Sequence, residues 1–266
     1  MPLLVADTEI MRENHASVLV VLVMWVMAGA WNNATPLRYV TSVGLGNFLM
    51  AQEKALARGE KTLANLTLSS YCQCRMACWS HLGCRAVSMV WRDKEVECRL
   101  SQFGPLESQV LSKSSATYIF WQDSVRGIMY EEVRRRMYLV PNEEMSFQEG
   151  KALCMKIPDH HLAIAKSQEE FKALLDVQAR TGISAFWVDL HTGLNGPLWG
   201  DGTQLRDTPL WVNYTTIVAV NLKGDLIYRF RMGTFDNTPL EETLHPICQS
   251  KYLGRDSSTS KRSFLG

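Results

Sequence analysis

The seven cysteines of this 266-residue chain constrain its fold more than any other feature, because they are spaced very unevenly. Five lie between residues 72 and 98, whereas Cys154 and Cys248 stand far apart. A chain of this length can bury two separate cores. The change in cysteine density therefore predicts two modules with a boundary near residues 122–128. The tail 251–266 lacks periodic apolar positions and is predicted to be disordered.

An uncharged, largely apolar run from Ala16 to Ala30 precedes all the cysteines and ends in Ala28-Gly29-Ala30. This pattern is typical of the hydrophobic region and cleavage site of a secretory signal peptide. The run is shorter than the roughly 20 apolar residues that span a bilayer. We therefore expect residues 1–30 to be a signal peptide, the mature protein to be secreted and extracellular, and no membrane span to remain after cleavage.

Export determines how the cysteines are interpreted, because an oxidising compartment favours disulfides. The short spacings of the first five cysteines, together with His81, would also suit a tetrahedral zinc site. Export disfavours that alternative, and we predict disulfides and no metal site. The sequons at Asn33, Asn65 and Asn213 are predicted glycosylation sites of an exported protein.

Charge and motifs exclude several classes of function. The 28 Lys and Arg residues nearly balance the 27 Asp and Glu residues, so no global field favours binding to nucleic acid or a membrane surface. The sequence contains no G-x-S-x-G, H-E-x-x-H or glycine-rich phosphate loop. We therefore predict a non-enzymatic protein, with a secreted hydrolase retained as an alternative.

In the first module, Ser70 and Gln73 form an S-x-x-Q capping box that predicts a helix start, and Cys74 and Cys78 share one face of that helix. The alternating run that follows Cys84 and the segment Cys98-Arg99-Leu100 predict a hairpin packed on the helix.

These segments together resemble the PAN/apple module, over residues 45–122. The resemblance implies the disulfides Cys74–Cys98 and Cys78–Cys84. Cys72 is then left over, either as a free thiol or as an intermolecular link that would give a disulfide-linked homodimer.

The second module is predicted to be an α+β fold. Met137-Tyr138-Leu139-Val140 reads as a strand, and S-x-x-E capping boxes at Ser146 and Ser167 predict two amphipathic helices. Phe186-Trp187-Val188-Asp189-Leu190 is a short apolar strand. Aromatic-rich turns are predicted at Leu198-Trp199-Gly200-Asp201-Gly202 and at Pro209-Leu210-Trp211.

Taken in order, these segments resemble a C-type lectin-like domain over residues 129–250. His161-Leu162-Ala163 is similar to the family's H-L-A motif, and 198–202 to its W-x-W-x-D-G turn. The resemblance implies two helices with two small antiparallel sheets and a closing disulfide, Cys154–Cys248. Ile217 and Leu240 stand where the family has its inner cysteine pair, and Asp189 replaces a glycine.

The resemblance also yields candidate ligand-binding residues. Asp236 and Asn237 stand where sugar-binding members of the family have their W-N-D motif, and Asp201 and Asp207 are nearby carboxylates. Trp199 could stack on a sugar ring, although an aromatic residue at such a motif position is more often in the core. The loop that supplies the other calcium ligands in the family is absent, and calcium needs six or more oxygens. We therefore expect no cofactor.

Two classes of binding function remain, because fold does not dictate function. The first is recognition of a glycan, and the second is adhesion to an extracellular protein. The sequence does not choose between them, and in either case we expect binding without calcium. A calcium-dependent carbohydrate-binding lectin of innate immunity is the alternative.

Overall fold

A computed structural model of the chain describes residues 37–42, 46–59, 62–131, 136–211, 227–239 and 241–250. Several predictions fall outside these ranges. They are the signal peptide, the sequons at Asn33 and Asn213, the inner-pair positions Ile217 and Leu240, and the tail 251–266. The fold is mixed α+β, and the described residues contain three α-helices, three sheets and three disulfides.

The first half is one six-stranded antiparallel sheet covered by a helix. The strands are β1 (Arg38–Ser42), β2 (Gly46–Leu56), β3 (Ala64–Leu68), β4 (Ala86–Arg92), β5 (Glu95–Ser101) and β6 (Val110–Trp121), in the order β1-β2-β6-β4-β5-β3. Helix α1 (Tyr71–Ser80) is joined to β5 by Cys74–Cys98 and to the start of β4 by Cys78–Cys84. The predicted helix and the predicted β4–β5 hairpin are confirmed.

The second half contains two helices and two smaller sheets. One sheet has the order β7 (Gly127–Glu131), β8 (Met137–Pro141), β15 (Cys248–Ser250), β9 (His160–Leu162). The other has the order β11 (Gly196–Trp199), β10 (Ala185–Gly193), β12 (Ile227–Arg231), β13 (Thr234–Thr238), with β14 (His245–Pro246) also paired to β10. The helices are α2 (Phe147–Lys156) and α3 (Gln168–Thr181).

Helix starts follow the sequence rules closely. The capping boxes at Ser146 and Ser167 are confirmed: each serine hydroxyl accepts a hydrogen bond from the backbone three residues later, and the glutamate there accepts one in return. At α1 the Ser70 hydroxyl accepts from the Gln73 backbone N–H, but the Gln73 side chain accepts from the Ser69 N–H instead. The Ser70 half of the predicted box is therefore confirmed, and the return hydrogen bond starts one residue earlier, at Ser69.

The disulfides Cys74–Cys98, Cys78–Cys84 and Cys154–Cys248 are the same three pairs that the family resemblances imply. The third ties α2 to β15. Cys72 forms no disulfide within the described ranges and is exposed on α1.

The two halves share one hydrophobic cluster. It brings Leu49 and Phe120 of the six-stranded sheet together with Leu139 and Trp187 of the second half. The chain crosses from β6 to β7 at residues 122–126, and a Cβ at Gly104 of the first half would lie 2.5 Å from the Ser124 carbonyl oxygen in this crossing. The crossing at the predicted boundary is therefore tightly packed. Among the described residues, no helix is long and apolar enough to cross a membrane.

Candidate functional site

The W-N-D-like segment lies on β13, and its acidic residue is held by an arginine. In the β12–β13 hairpin Arg229 is directly opposite Asp236. The Arg229 Nε and one terminal nitrogen donate to Asp236 Oδ2 at 3.1 and 3.0 Å, and the other terminal nitrogen donates to Glu242 Oε1 at 2.5 Å. Glu242 also accepts a hydrogen bond from the Thr238 hydroxyl. One guanidinium therefore joins both carboxylates.

The electrostatics of this network favour the charged guanidinium. The hydrogen bond with Asp236 raises the pKa of Arg229 above its usual value, against the opposing effect of partial burial, and Glu242 adds to the rise. The Arg229 side chain is only 17% exposed. The other Asp236 oxygen, Oδ1, is buried without a hydrogen-bond partner among the residues described. A divalent cation bound to Asp236 would have to displace an arginine that already neutralises it.

Asn237, the second residue of this candidate pair, lies opposite Tyr228 in the same hairpin. Successive side chains of a strand point to opposite faces of its sheet. The side chain of Asp236 shares a face with Arg229, and that of Asn237 shares a face with Tyr228. The strand geometry therefore separates the two candidate residues rather than bringing them together.

The two other candidate carboxylates are in different surroundings. Asp201 lies in the turn after β11, where Oδ1 accepts from the Thr203 N–H at 3.1 Å and Oδ2 from Lys166 Nζ at 2.6 Å. Partial burial alone would raise its pKa, but the hydrogen bonds from Lys166 and Thr203 outweigh burial, and the pKa is lowered. Asp207 is exposed, 3.9 Å from the Arg206 Nε.

Trp199 leaves the set of ligand-binding candidates, because its ring is fully buried. It packs edge-on against Phe235 with ring centroids 5.4 Å apart. Phe235 occupies the tryptophan position of the W-N-D motif, so both aromatic residues serve the core. Trp187 is also fully buried, and Trp211 is 42% exposed.

Sequence reasoning missed an ion pair deep in the second half. Asp189 Oδ1 lies 2.8 Å from Lys151 Nζ, and the Asp189 side chain is only 6% exposed. Gly200 leaves room for this carboxylate, since a Cβ at Gly200 would overlap it. The sequence carried one signal of this pair: Asp189 stands where the family has a glycine, eleven residues before Gly200.

Arg229 was missed for a different reason. Its partners Asp236 and Glu242 are seven and thirteen residues away, and only the register of the β12–β13 hairpin brings the three together. No periodicity in the sequence specifies that register. Within the described residues, no group of three or more histidine, cysteine, aspartate or glutamate side chains is arranged to hold a metal ion.

Comparison with known proteins gives matches of structure only. No family model and no curated protein sequence matches this chain. Human lithostathine covers 46% of this chain and 87% of its own, at 12% identity and a TM-score of 0.39. The mouse scavenger receptor C-type lectin carbohydrate-recognition domain covers 47% and 95%, at 18% identity and a TM-score of 0.39. The C-type lectin TC14 of the tunicate Polyandrocarpa misakiensis covers 44% and 98%, at 18% identity and a TM-score of 0.37.

Proposed function

We propose that this chain is a secreted, non-enzymatic recognition protein of the C-type lectin-like class, which binds a glycan or an extracellular protein without calcium at Asp236. The observation that carries the proposal is the position of Arg229 between Asp236 and Glu242. The guanidinium takes the place that a bound cation would need, and supplies the positive charge itself.

Ligand counting supports calcium independence. Calcium takes six to eight oxygen ligands, several of them charged. One oxygen of Asp236 already accepts a hydrogen bond from Arg229, and Asn237 lies on the other face of the strand. Few anionic ligands remain, and the nearby arginine repels a divalent cation. Calcium should therefore add almost nothing to the stability of the folded protein.

Thermal unfolding tests this proposal directly. The melting temperature is measured in several millimolar calcium and in excess chelator, for the wild type and for Asp236→Ala. We expect no difference between calcium and chelator in either protein. A rise of several degrees in calcium that disappears in Asp236→Ala would overturn the proposal in favour of a calcium-dependent lectin.

A matched variant sharpens the test. Arg229→Gln removes the charge from the site, whereas Arg231→Gln removes a charge from the same strand at an exposed position. If the arginine excludes the cation, calcium should stabilise Arg229→Gln more than Arg231→Gln.

A glycan array probed with and without chelator then separates sugar from protein ligands. Assays against generic ester, peptide and glycoside substrates should show no turnover.

We also propose that the first half is a PAN/apple-like module and that Cys72 links two copies of the chain. Cys72 is exposed on α1, and Met76 and Trp79 lie on the same helix face, 42% and 49% exposed. Non-reducing electrophoresis should show a dimer that Cys72→Ser abolishes while secretion persists. Loss of secretion in that variant would instead place Cys72 in the fold.

Glycosylation at Asn65 is part of the same proposal. Asn65 and Thr67 are exposed on β3, an edge strand of the six-stranded sheet, and Leu66 between them packs towards the core. The sequon is therefore accessible to the modifying enzyme. Removal of N-glycans should lower the mass of the secreted protein. The mass lost should be smaller, by one glycan, for Asn65→Gln than for the wild type.

A further inference from the structure

The outward side of α1 carries an apolar stripe where a surface helix usually carries charge. Cys74 and Cys78 are buried and hold the inner side of the helix on the six-stranded sheet. Cys72, Met76 and Trp79 follow one another at spacings of four and three residues on the opposite side, and we call them the outer stripe of α1. All three are exposed, Met76 by 42% and Trp79 by 49%. A helix with apolar residues on both sides is typically buried on both sides.

The outer stripe is compatible with a second copy of itself. Gln73 and Ser80, which flank it, are uncharged. The single charged residue of α1 is Arg75, which is half-buried with its guanidinium 5.5 Å from the centroid of the Phe48 ring and one terminal nitrogen 3.9 Å from the Cys72 Sγ. In a two-fold interface each group meets the same group of the other copy, so a charged face repels itself and an uncharged apolar face does not.

Cysteine pairing favours a second copy of the chain over any other partner. The other six cysteines form three disulfides within the chain, and the Cys72 thiol is left exposed on the outer stripe. In an oxidising compartment an exposed thiol is consumed by disulfide formation. A second copy necessarily brings both a matching thiol and a matching apolar stripe, whereas an unrelated partner would need both features independently.

The position of Cys72 near the start of α1 limits how two copies can meet. The helix begins at Tyr71, and Trp79 lies seven residues beyond Cys72, or about 10 Å along the helix axis. In an antiparallel pair, a bond between the two Cys72 residues would leave each Trp79 beyond the end of the other helix. In a parallel pair, each residue of the stripe faces its own counterpart, at the spacing of four and three residues found in coiled coils. Only the parallel pair buries the whole stripe.

The available area explains why a covalent bond is needed. Met76, Trp79 and Leu82, which lies in the turn after α1 and is 95% exposed, together expose roughly 350 Å² in each copy, since large side chains have surfaces of about 150 to 250 Å². A standard interface buries about 800 Å² per partner. The contact is therefore too small to hold two copies alone. A disulfide compensates, because it raises the effective concentration of one stripe for the other.

The rest of the molecule leaves this surface open. Leu66 packs on the hydrophobic cluster beneath α1, so it points to the face of the sheet that the helix covers. Neighbouring side chains of a strand alternate between faces, so the sequon residue Asn65 points to the other face. The second half packs on that other face too, through Leu49 and Phe120. The outer stripe is therefore on the opposite side of the first half from both the sequon and the second half.

We propose that the outer stripe is the interface between two copies of this chain, whose α1 helices pack side by side and parallel. Cys72 bonds to the same residue of the second copy, and Met76 and Trp79 each face their counterparts. As the bond forms, two thiols lose two protons and two electrons, and a disulfide of the exporting compartment accepts the electrons and is reduced to two thiols. The inference rests on the proposed Cys72 link and adds the surface and the orientation of the pair.

Moving the cysteine along the helix tests the parallel arrangement in the full-length secreted protein. Cys72→Ser/Met76→Cys moves the thiol one turn along the outer stripe. Cys72→Ser/Ser80→Cys moves it to an exposed position about 100° from Trp79 around the helix. Both proteins are treated with oxidised glutathione and separated by non-reducing electrophoresis. The Met76→Cys protein should form a linked dimer at least about tenfold faster, because parallel pairing brings its two thiols together.

The wild type separates failure of this inference from failure of the Cys72 link. A wild-type protein that stays monomeric under the same oxidation would overturn both. A wild-type dimer together with equal rates for the two moved cysteines would leave the link standing and overturn the parallel pairing. Neither result bears on calcium binding at Asp236, which has its own test.

A pair of tryptophan variants tests the apolar contact while Cys72 is kept. Trp79→Ala removes the largest side chain of the outer stripe. Trp211→Ala is the matched control, because Trp211 is 42% exposed in the second half. Each protein is equilibrated in a glutathione redox buffer, and the dimer fraction gives the equilibrium constant of the Cys72 disulfide. We expect Trp79→Ala to lower that constant by about tenfold and Trp211→Ala to leave it unchanged. Equal effects of the two variants would contradict the assignment.

Discussion

The two halves of the molecule are stabilised in different ways. In the first half, α1 is short and is held on its sheet by two disulfides whose half-cystines Cys74, Cys78 and Cys98 are themselves part of the buried cluster. In the second half a large aromatic cluster fills the centre, with Phe171 and Phe230 packed edge-on at 5.4 Å, and a single disulfide spans most of the sequence. The first half therefore depends on two covalent links between its helix and its sheet, and the second half on its aromatic core and one long-range link.

The largest expected effects come from removing the disulfides. The two cysteines of a bridge are 94 residues apart for Cys154–Cys248, 24 for Cys74–Cys98 and 6 for Cys78–Cys84. On the chain-entropy model, double alanine variants should lose about 4 to 5, about 3 and about 2 kcal/mol of unfolding free energy, respectively. Urea unfolding of the three double variants measures their unfolding free energies and tests whether the losses follow this order.

Cys72→Ser is the control for these variants, and it should leave the unfolding free energy almost unchanged because Cys72 is exposed and forms no disulfide with another cysteine of the described residues. If removal of Cys78–Cys84 cost as much as removal of Cys154–Cys248, the short bridge would act through packing of α1 rather than through loop closure. The two halves would then differ only in how their side chains pack, and disulfide loop closure would not distinguish them.

Acid should destabilise the second half through His160. Burial lowers the pKa of this histidine to about 4, with the nearby His161 adding to the shift and a hydrogen bond to the Pro158 carbonyl opposing it. The unfolded chain takes up the proton near pH 6.5 and the folded protein only near pH 4. The unfolding free energy should therefore be constant above pH 6.5 and fall by roughly 3 kcal/mol as the pH drops from 6.5 to 4.

Urea unfolding at a series of pH values measures this loss, and His160→Gln should flatten the profile. His81→Gln is the matched control in the first half, where the histidine is exposed on the loop after α1. If His160→Gln kept the full acid loss, other groups would be responsible, and the difference in acid sensitivity between the halves would not come from a buried histidine.

The unfolding free energy should also be sensitive to substitutions where Gly200 approaches Asp189. Gly200→Ala places a methyl group on the Asp189 carboxylate and should cost about 2 to 3 kcal/mol of unfolding free energy, as other overpacking substitutions do. Asp189→Gly should restore the space, so that the double variant is more stable than Gly200→Ala alone. Thermal unfolding of the four proteins gives the coupling energy. Additive effects would mean that the two residues do not meet.

The smallest expected effects are at the helix starts. Ser146→Ala and Ser167→Ala should each cost about 1 kcal/mol of unfolding free energy, because each removes the acceptor of a complete capping box. Ser70→Ala should cost less, since two disulfides hold α1 on the sheet whether or not its first turn is capped. Chemical denaturation of the three variants decides the ranking. A larger loss at Ser70 would show that the disulfides do not order the helix.

Local features of the fold could be predicted from the sequence because they depend on neighbouring residues. The capping boxes at Ser146 and Ser167 and the hairpin of β4 and β5 follow from short patterns. The exchange of a family glycine for Asp189 was a signal in the sequence, but its partner Lys151 and the role of Arg229 could not be predicted, because they depend on strand register and on which elements pack together. The sequence placed Asp236 in a candidate site, and its arginine partner became visible only in three dimensions.

The hydrophobic cluster that Leu49 and Phe120 share with Leu139 and Trp187 has a consequence for engineering. Domains joined by a flexible linker can be separated and recombined with other domains. Here a cut between residues 122 and 128 would leave two fragments, each with an uncovered apolar surface that had been interior. Such fragments should aggregate when expressed separately and recover solubility when expressed together. The relative orientation of the two halves is therefore set by packing, and the length of the chain between them has no part in it.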